Sequence, residues 1–301
     1  MAHDPAATPG RRVYVGPMIE RVREQAGSAI FSRVAGPEGS GRRARIHGTA
    51  GPRRFAPGDP IWRVHGDASM FVGGIRALLL QSLHPLAMAG VDQHSGFRGD
   101  PWGRLQRTSG FIAETTFATV EHADRAIGAV RRIHERVAGS TDDGRPYAAS
   151  DPHLLTWVHL AEIDSFLLAH DRYGSAPLSP TERDRYVAQT AVTARLLGAR
   201  DVPEDVAGLD EALAAYRPEL ESSPAAREAA RFMLLRPPVP WTVRPAYGLL
   251  AAAAVGLLPR WARAPLRLPW LPVTEATAVR AGGVAATRAI GWAMAPPARS
   301  T

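Results

Sequence analysis

The sequence predicts an all-α fold built as a single large helical domain. Apolar residues recur at helical spacing through most of the chain, alternating runs long enough for strands are few, and the periodic segments begin and end at recognisable capping residues. At 301 residues and 45% hydrophobic content the chain can bury a substantial core, and no composition break divides it. Residues 1–12 and 293–301, rich in Ala, Pro, Arg and Ser, read as disordered tails, which leaves residues 13–292 as the domain.

The first strong element is Ala68–Val91, almost wholly apolar and broken by Arg76, Gln81 and His84. Its length is that of a membrane span, but an arginine at mid-bilayer is costly and proline after His84 disfavours continued helix. A buried core helix is therefore expected. Helices follow over Pro101–Phe111 behind Asp100, Val120–Ala138 with Gly139 behind it, Asp151–Tyr173 ahead of Gly174, and Pro180–Leu197 with Ser179 as cap and Glu182 three residues on. Asp210–Tyr216 and Pro224–Met233 read as further helices, and Pro237–Trp241 (PPVPW) as an extended loop. The glycine-rich piece Gly36–Gly41 follows no strand and reads as loop. The apolar run Ala246–Leu258 is about 20 Å long as a helix, too short for a ~30 Å hydrocarbon core. It reads as a packed helix; with Arg260, Trp261, Arg263 and Arg267 behind it, peripheral contact with a membrane surface is the alternative placement.

The formal net charge is +7, and every one of the 36 basic residues is arginine. These are scattered among 29 acids with no basic run interleaved with aromatics, so no nucleic-acid partner is expected. The absence of cysteine excludes disulfides, cysteine-held iron–sulfur clusters, thiolate-ligated haem and covalent c-type haem. The start, MAHDPAATPGRR, lacks the apolar stretch of a signal peptide, so a cytoplasmic location is expected. No Walker loop, dinucleotide GxGxxG, GxSxG elbow or HExxH is present.

Chemistry concentrates in a few places. Arg104, Arg107 and Thr108 in DPWGRLQRTSGF share one helix face, and Arg131 and His134 in AVRRIHERVAG do so one helix later. Imidazole opposite guanidinium groups can hold a haem, with nitrogen for the iron and cations for the propionates; the other reading is surface arginines with a hydrogen-bonded core histidine. His84 ends the apolar helix at LHPLAMAGV, His94 lies in the loop DQHSGFRGDP, and His159 sits on an apolar face with Leu155, Ile163 and Phe166. Glu162 and Asp164 flank His159 as a weak ligand and supporting pair.

The stretches GDASMFVGGIRALLLQSLHPLAMAGVDQHSGFRGDPWGRLQRTSGFI, RRIHERVAG and DPHLLTWVHLAEIDSFLLAHDRYG, in this order and spacing, resemble the MpaB-type oxygenases, whose relatives include the rubber oxygenase called latex-clearing protein. The resemblance runs from about Gly66 to Leu197 and more loosely to about Pro272. It implies an all-α fold related to globins and a non-covalent haem b. By motif, His134 in RxxHxxV matches the proximal iron ligand, and Arg104-Leu-Gln-Arg107-Thr108 matches a distal Arg-x-x-Lys-Thr signature. Here Arg107 replaces the lysine that can ligate the distal iron, and a guanidinium that stays protonated is a poor ligand. The iron is then expected to be five-coordinate or to hold water or another histidine. His84 stands in the region where the rubber enzyme uses a glutamate, a change that argues against polyisoprene cleavage.

The resulting expectation is a haem b oxygenase or peroxygenase acting on an apolar small molecule. Its catalytic residues are Arg104, Thr108 and, for proton transfer, His84; Arg107, Arg131, His134 and His159 hold the cofactor, His134 binds the iron, and O₂ or peroxide is the oxidant. The alternatives are a haem-free helical protein that binds a lipid or other apolar ligand, and a membrane-surface or partner-binding protein using the C-terminal apolar helix. The sequence does not define an oligomeric state.

Overall fold

Proline at the first helical turn, preceded by an oxygen-bearing cap, sets many of the helix starts, because proline lacks the amide hydrogen that this turn would leave unbonded. The computed structural model describes residues 17–96 and 99–295, and the fold there is all-α apart from one small hairpin. The elements are α1 (Pro17–Ala35), α2 (Gly39–Gly48), α3 (Pro60–His65), α4 (Met70–Gln81), α5 (Pro85–His94), α6 (Pro101–Phe117), α7 (Val120–His134), β1 (Ala138–Ser140) and β2 (Pro146–Ala148). They continue with α8 (Pro152–Tyr173), α9 (Pro180–Leu197), α10 (Val206–Tyr216), α11 (Pro224–Leu235), α12 (Arg244–Leu257) and α13 (Arg260–Arg263). The short α14 (Pro272–Thr274) runs through a π-helical turn at Glu275–Val279 into α15 (Arg280–Met294).

The predicted caps are at work. The Asp100 side chain accepts from Gly103 N at 2.8 Å, Asp151 accepts from His153 N at 2.9 Å, and Ser179 and Glu182 form a reciprocal capping box at the start of α9. Several local expectations change. Helix α7 stops at His134, because Val137 N turns back to His134 O (3.1 Å) and Ala138–Ser140 pairs antiparallel with Pro146–Ala148. Helix α2 begins inside the glycine-rich piece expected to be loop, and α5 extends through His94. The predicted tail from residue 293 also starts early, since Ala293 and Met294 belong to α15; residues 1–12 and the rest of that tail lie outside the described residues.

Helix α8 runs through the core, packed chiefly against α4. Trp157, Leu160 and Ala161 of α8 and Val64, Leu79, Leu80 and Leu83 are essentially inaccessible to solvent. Gly73 allows this close approach, because a Cβ there would lie 2.9 Å from Phe166 Cδ1 and 3.2 Å from the Phe166 Cα. The apolar run Ala68–Val91 is two helices, α4 and α5, bent by 108° at the Ser82–His84 corner, and no single described helix is long and apolar enough to cross a membrane. Arg76 in that run is buried. It meets Asp164 Oδ2 at 2.7 Å and donates to Ser165 Oγ at 2.7 Å and Leu257 O at 3.0 Å, so one guanidinium joins α4, α8 and the end of α12.

A second cluster joins Val72, Tyr173, Leu250, Ala253, Ala254 and Ala286. The C-terminal apolar helix is therefore core over its second half. Arg263, one of the residues named for membrane-surface contact, is buried, pairs with Glu275 at 2.6 Å and lies 4.5 Å over the Trp270 ring.

Candidate functional site

The Asp100 cap places Arg104, Arg107 and Thr108 in the first turns of α6. Arg104 is half-buried with Nη1 3.4 Å from Ser95 Oγ at the end of α5, and burial, followed by the neighbouring Arg107, lowers its pKa. Arg107 is exposed and pairs with Asp100 at 3.4 Å, and Thr108 is exposed as well. On α7, which packs along α6, Arg131 is exposed while His134 is half-buried. The structure thus keeps Arg107, Thr108 and Arg131 at the surface and leaves Arg104 and His134 half-buried, with His134 Nδ1 turned inward.

Inside, several polar groups lack ordinary partners. Nδ1 of His134 and Nε2 of His159 are buried without a hydrogen bond. Burial lowers the pKa of His134, and burial, followed by the Arg195 guanidinium, lowers that of His159 to about 4, so both imidazoles are neutral near pH 7. One turn along α8, burial lifts the Glu162 carboxyl to about 7. His65 of α3 is bridged between Thr116 Oγ1 (2.8 Å) and the Tyr186 hydroxyl (3.2 Å), and burial drives its pKa down to about 3. Glu162, His159 and His65 each retain some accessible surface although protein surrounds them deeply enough for desolvation to dominate. Asp164, expected to support His159, is instead taken by Arg76, since five residues along a helix reach a different face.

His84 is elsewhere. It caps α5 at the α4–α5 corner, while Arg104 meets the opposite end of this helix, about 15 Å away at ~1.5 Å per residue. The imidazole is 2% exposed, with Nε2 3.5 Å from Glu219 Oε2 and its ring centroid 6.2 Å from those of His153 and Trp157. His94 contacts the Tyr147 hydroxyl at 3.1 Å, tying the end of α5 to the hairpin.

The sequence reading did not single out His65, Thr116, Tyr186, His153 or Glu219. Each sits in an ordinary local context, and only packing between distant segments joins them. His159 and Glu162 stand one turn apart on α8 while His134 ends α7, so the chemistry on offer is a neutral imidazole at each place and, on α8, a carboxyl able to exchange a proton near neutral pH.

Neither the curated proteins nor the solved structures contain a match to this chain. The family model for the ER-bound oxygenase mpaB/B'/Rubber oxygenase catalytic domain matches residues 62–290, from α3 to the last turns of α15. That span includes the α6–α7 cation set, the half-buried His134, His159 and Glu162, and the corner at His84. The chain belongs to the mpaB/rubber oxygenase catalytic-domain family.

Proposed function

We propose that this protein is a haem b-dependent oxygenase of an apolar small molecule, with O₂ or peroxide as oxidant and His134 as the iron ligand. The observation that carries the reading is that two neutral, half-buried imidazoles on this oxygenase scaffold, His134 and His159, each have one buried ring nitrogen without a hydrogen bond. An imidazole buried with a nitrogen unbonded loses hydration without replacement, a cost that a bound group can offset. The residues present suit a non-covalent haem in their chemistry: there is no thiolate, His134 offers a buried Nδ1 without a hydrogen bond, and Arg131 precedes it by one turn on α7.

In this reading His134 holds the iron and His159 is the second imidazole assigned to the cofactor. Arg107 and Arg131, exposed and long, are suited to carboxylates at a cofactor's edge. Arg104, partly withdrawn from water, and Thr108 donate hydrogen bonds where negative charge develops on the oxidant. Bound haem supplies an iron centre that activates the oxidant. Glu162, near its midpoint at pH 7, is able to take up or release a proton in the interior. The substrate is taken as apolar because partly buried hydrophobics lie one turn from these groups, Leu155 beside His159 and Ile112 beside Thr108.

The test is the ultraviolet–visible spectrum of protein purified from haem-replete cells, with and without His134→Ala. A Soret band in the parent that the variant loses supports the assignment. A parent that is colourless and gains no band on addition of hemin overturns it and favours a haem-free binder of apolar ligands.

A further inference from the structure

The corner at His84 collects three potential metal ligands from segments far apart in sequence. His84 ends the α4–α5 corner, His153 lies in the first turn of α8, and Glu219 follows α10 in a single 3-10 turn, Arg217–Glu219. Their ligand atoms all lie within 4.8 Å of one another. His153 Nε2 is 2.7 Å and His84 Nε2 3.5 Å from the same carboxylate oxygen, Glu219 Oε2.

An exposed His–Glu pair would explain His153 and Glu219 alone. It does not explain His84, whose side chain is 3% exposed and whose two ring nitrogens have no hydrogen-bond partner, the 3.5 Å approach to Glu219 being too long for one. A buried imidazole aimed at a carboxylate without bonding it leaves a lone pair unused.

His153 is set up as a ligand. The Tyr216 hydroxyl is 2.8 Å from His153 O and 3.1 Å from His153 Nδ1, and the two rings stack with centroids 4.5 Å apart. When the hydroxyl proton goes to the carbonyl, the phenol oxygen accepts from Nδ1–H, which leaves the Nε2 lone pair facing Glu219. Bonds of ~2.0–2.1 Å in a tetrahedral site separate ligand atoms by about 3.3 Å. The His84–Glu219 distance already matches this spacing. The shorter His153–Glu219 distance must widen by about 0.6 Å, which two half-exposed side chains can accommodate.

We propose that His84, His153 and Glu219 bind one divalent transition-metal ion of the Zn²⁺ type, with Tyr216 positioning His153 and a fourth coordination position open to water. Two imidazoles and one carboxylate suit such ions and not Ca²⁺ or Mg²⁺, which prefer all-oxygen shells. The ion joins the α4–α5 corner, the start of α8 and the end of α10. Glu221 N, which donates to Leu83 O at 2.8 Å, already holds the same segment against the corner.

The test is titration of the full-length, metal-stripped protein with Zn²⁺ by calorimetry, and with Co²⁺ by visible absorption. One equivalent of Zn²⁺ should bind, with Co²⁺ giving tetrahedral-type absorption bands. His153→Ala and Glu219→Gln, both at exposed positions where the fold should tolerate them, should each weaken Zn²⁺ binding at least tenfold, and Tyr216→Phe about tenfold as an orienting partner. His134→Ala should leave Zn²⁺ affinity unchanged while removing the Soret band, which separates this site from the haem reading. A parent that binds no stoichiometric Zn²⁺, or Glu219→Gln and His153→Ala proteins that bind it as the parent does, overturns the assignment.

Discussion

Glu162→Gln should stabilise the haem-free protein, increasingly so as pH rises. Burial holds the Glu162 carboxyl at about 7 in the folded chain against an ordinary value of 4.5. Between these two values the unfolded chain has released the proton and the folded chain retains it. The unfolded state therefore binds fewer protons, and stability falls by about 1.4 kcal/mol per pH unit across the window. The penalty is absent below pH 4.5, accumulates through the interval and is complete above pH 7, where it reaches about 3 kcal/mol. Glutamine is nearly the same shape and cannot ionise, so it escapes this cost. Urea unfolding of parent and variant at matched pH between 4 and 8 measures the difference directly, and the other titrations largely cancel in it. The two proteins should agree within about 0.5 kcal/mol at pH 4 and diverge by about 3 kcal/mol at pH 8. Parallel stability profiles, or divergence growing toward acid, would refute the claim that desolvation governs this carboxyl.

Arg76→Ala should cost about 3–5 kcal/mol in urea unfolding, because it strands Asp164 and frees the Ser165 and Leu257 acceptors that the guanidinium satisfies. Gly73→Val should destabilise by about 1–3 kcal/mol or more, since its Cβ alone would come within 2.9 Å of Phe166; a thermal midpoint equal to the parent's would show that α4 and α8 have room to separate.

Much of the secondary structure was legible because its causes are local. Pro180–Leu197 appears with its predicted limits, set by Ser179, Glu182 and Gly198, the last in the left-handed region at φ 113°. Pro85 announced the break between α4 and α5. The hairpin was not legible: β1 and β2 span three residues each, and their pairing depends on the turn in which Arg145 N donates to Thr141 Oγ1 at 3.0 Å. The extension of α6 from Phe111 to Phe117 was missed because Ala113–Thr116 carries little apolar periodicity, yet Thr115 and Thr116 are buried, the latter bonded to His65.

For the candidate site, the motifs around Arg104, Arg107, Thr108, Arg131 and His134 pointed to the family, and the family model agrees. The sequence by itself determined that family, the all-α class and those helix limits that a local cap or proline sets, such as Pro180–Leu197, since these signals act within a few residues. Tertiary structure decided which polar groups lose their water. It exposed Arg107 and Arg131, buried Arg76 and Arg263, drove the Glu162 carboxyl up to about 7, and carried His84 away from the arginines to His153 and Glu219. Desolvation and ligand convergence arise from the packing of segments tens of residues apart, so no local window of sequence contains them.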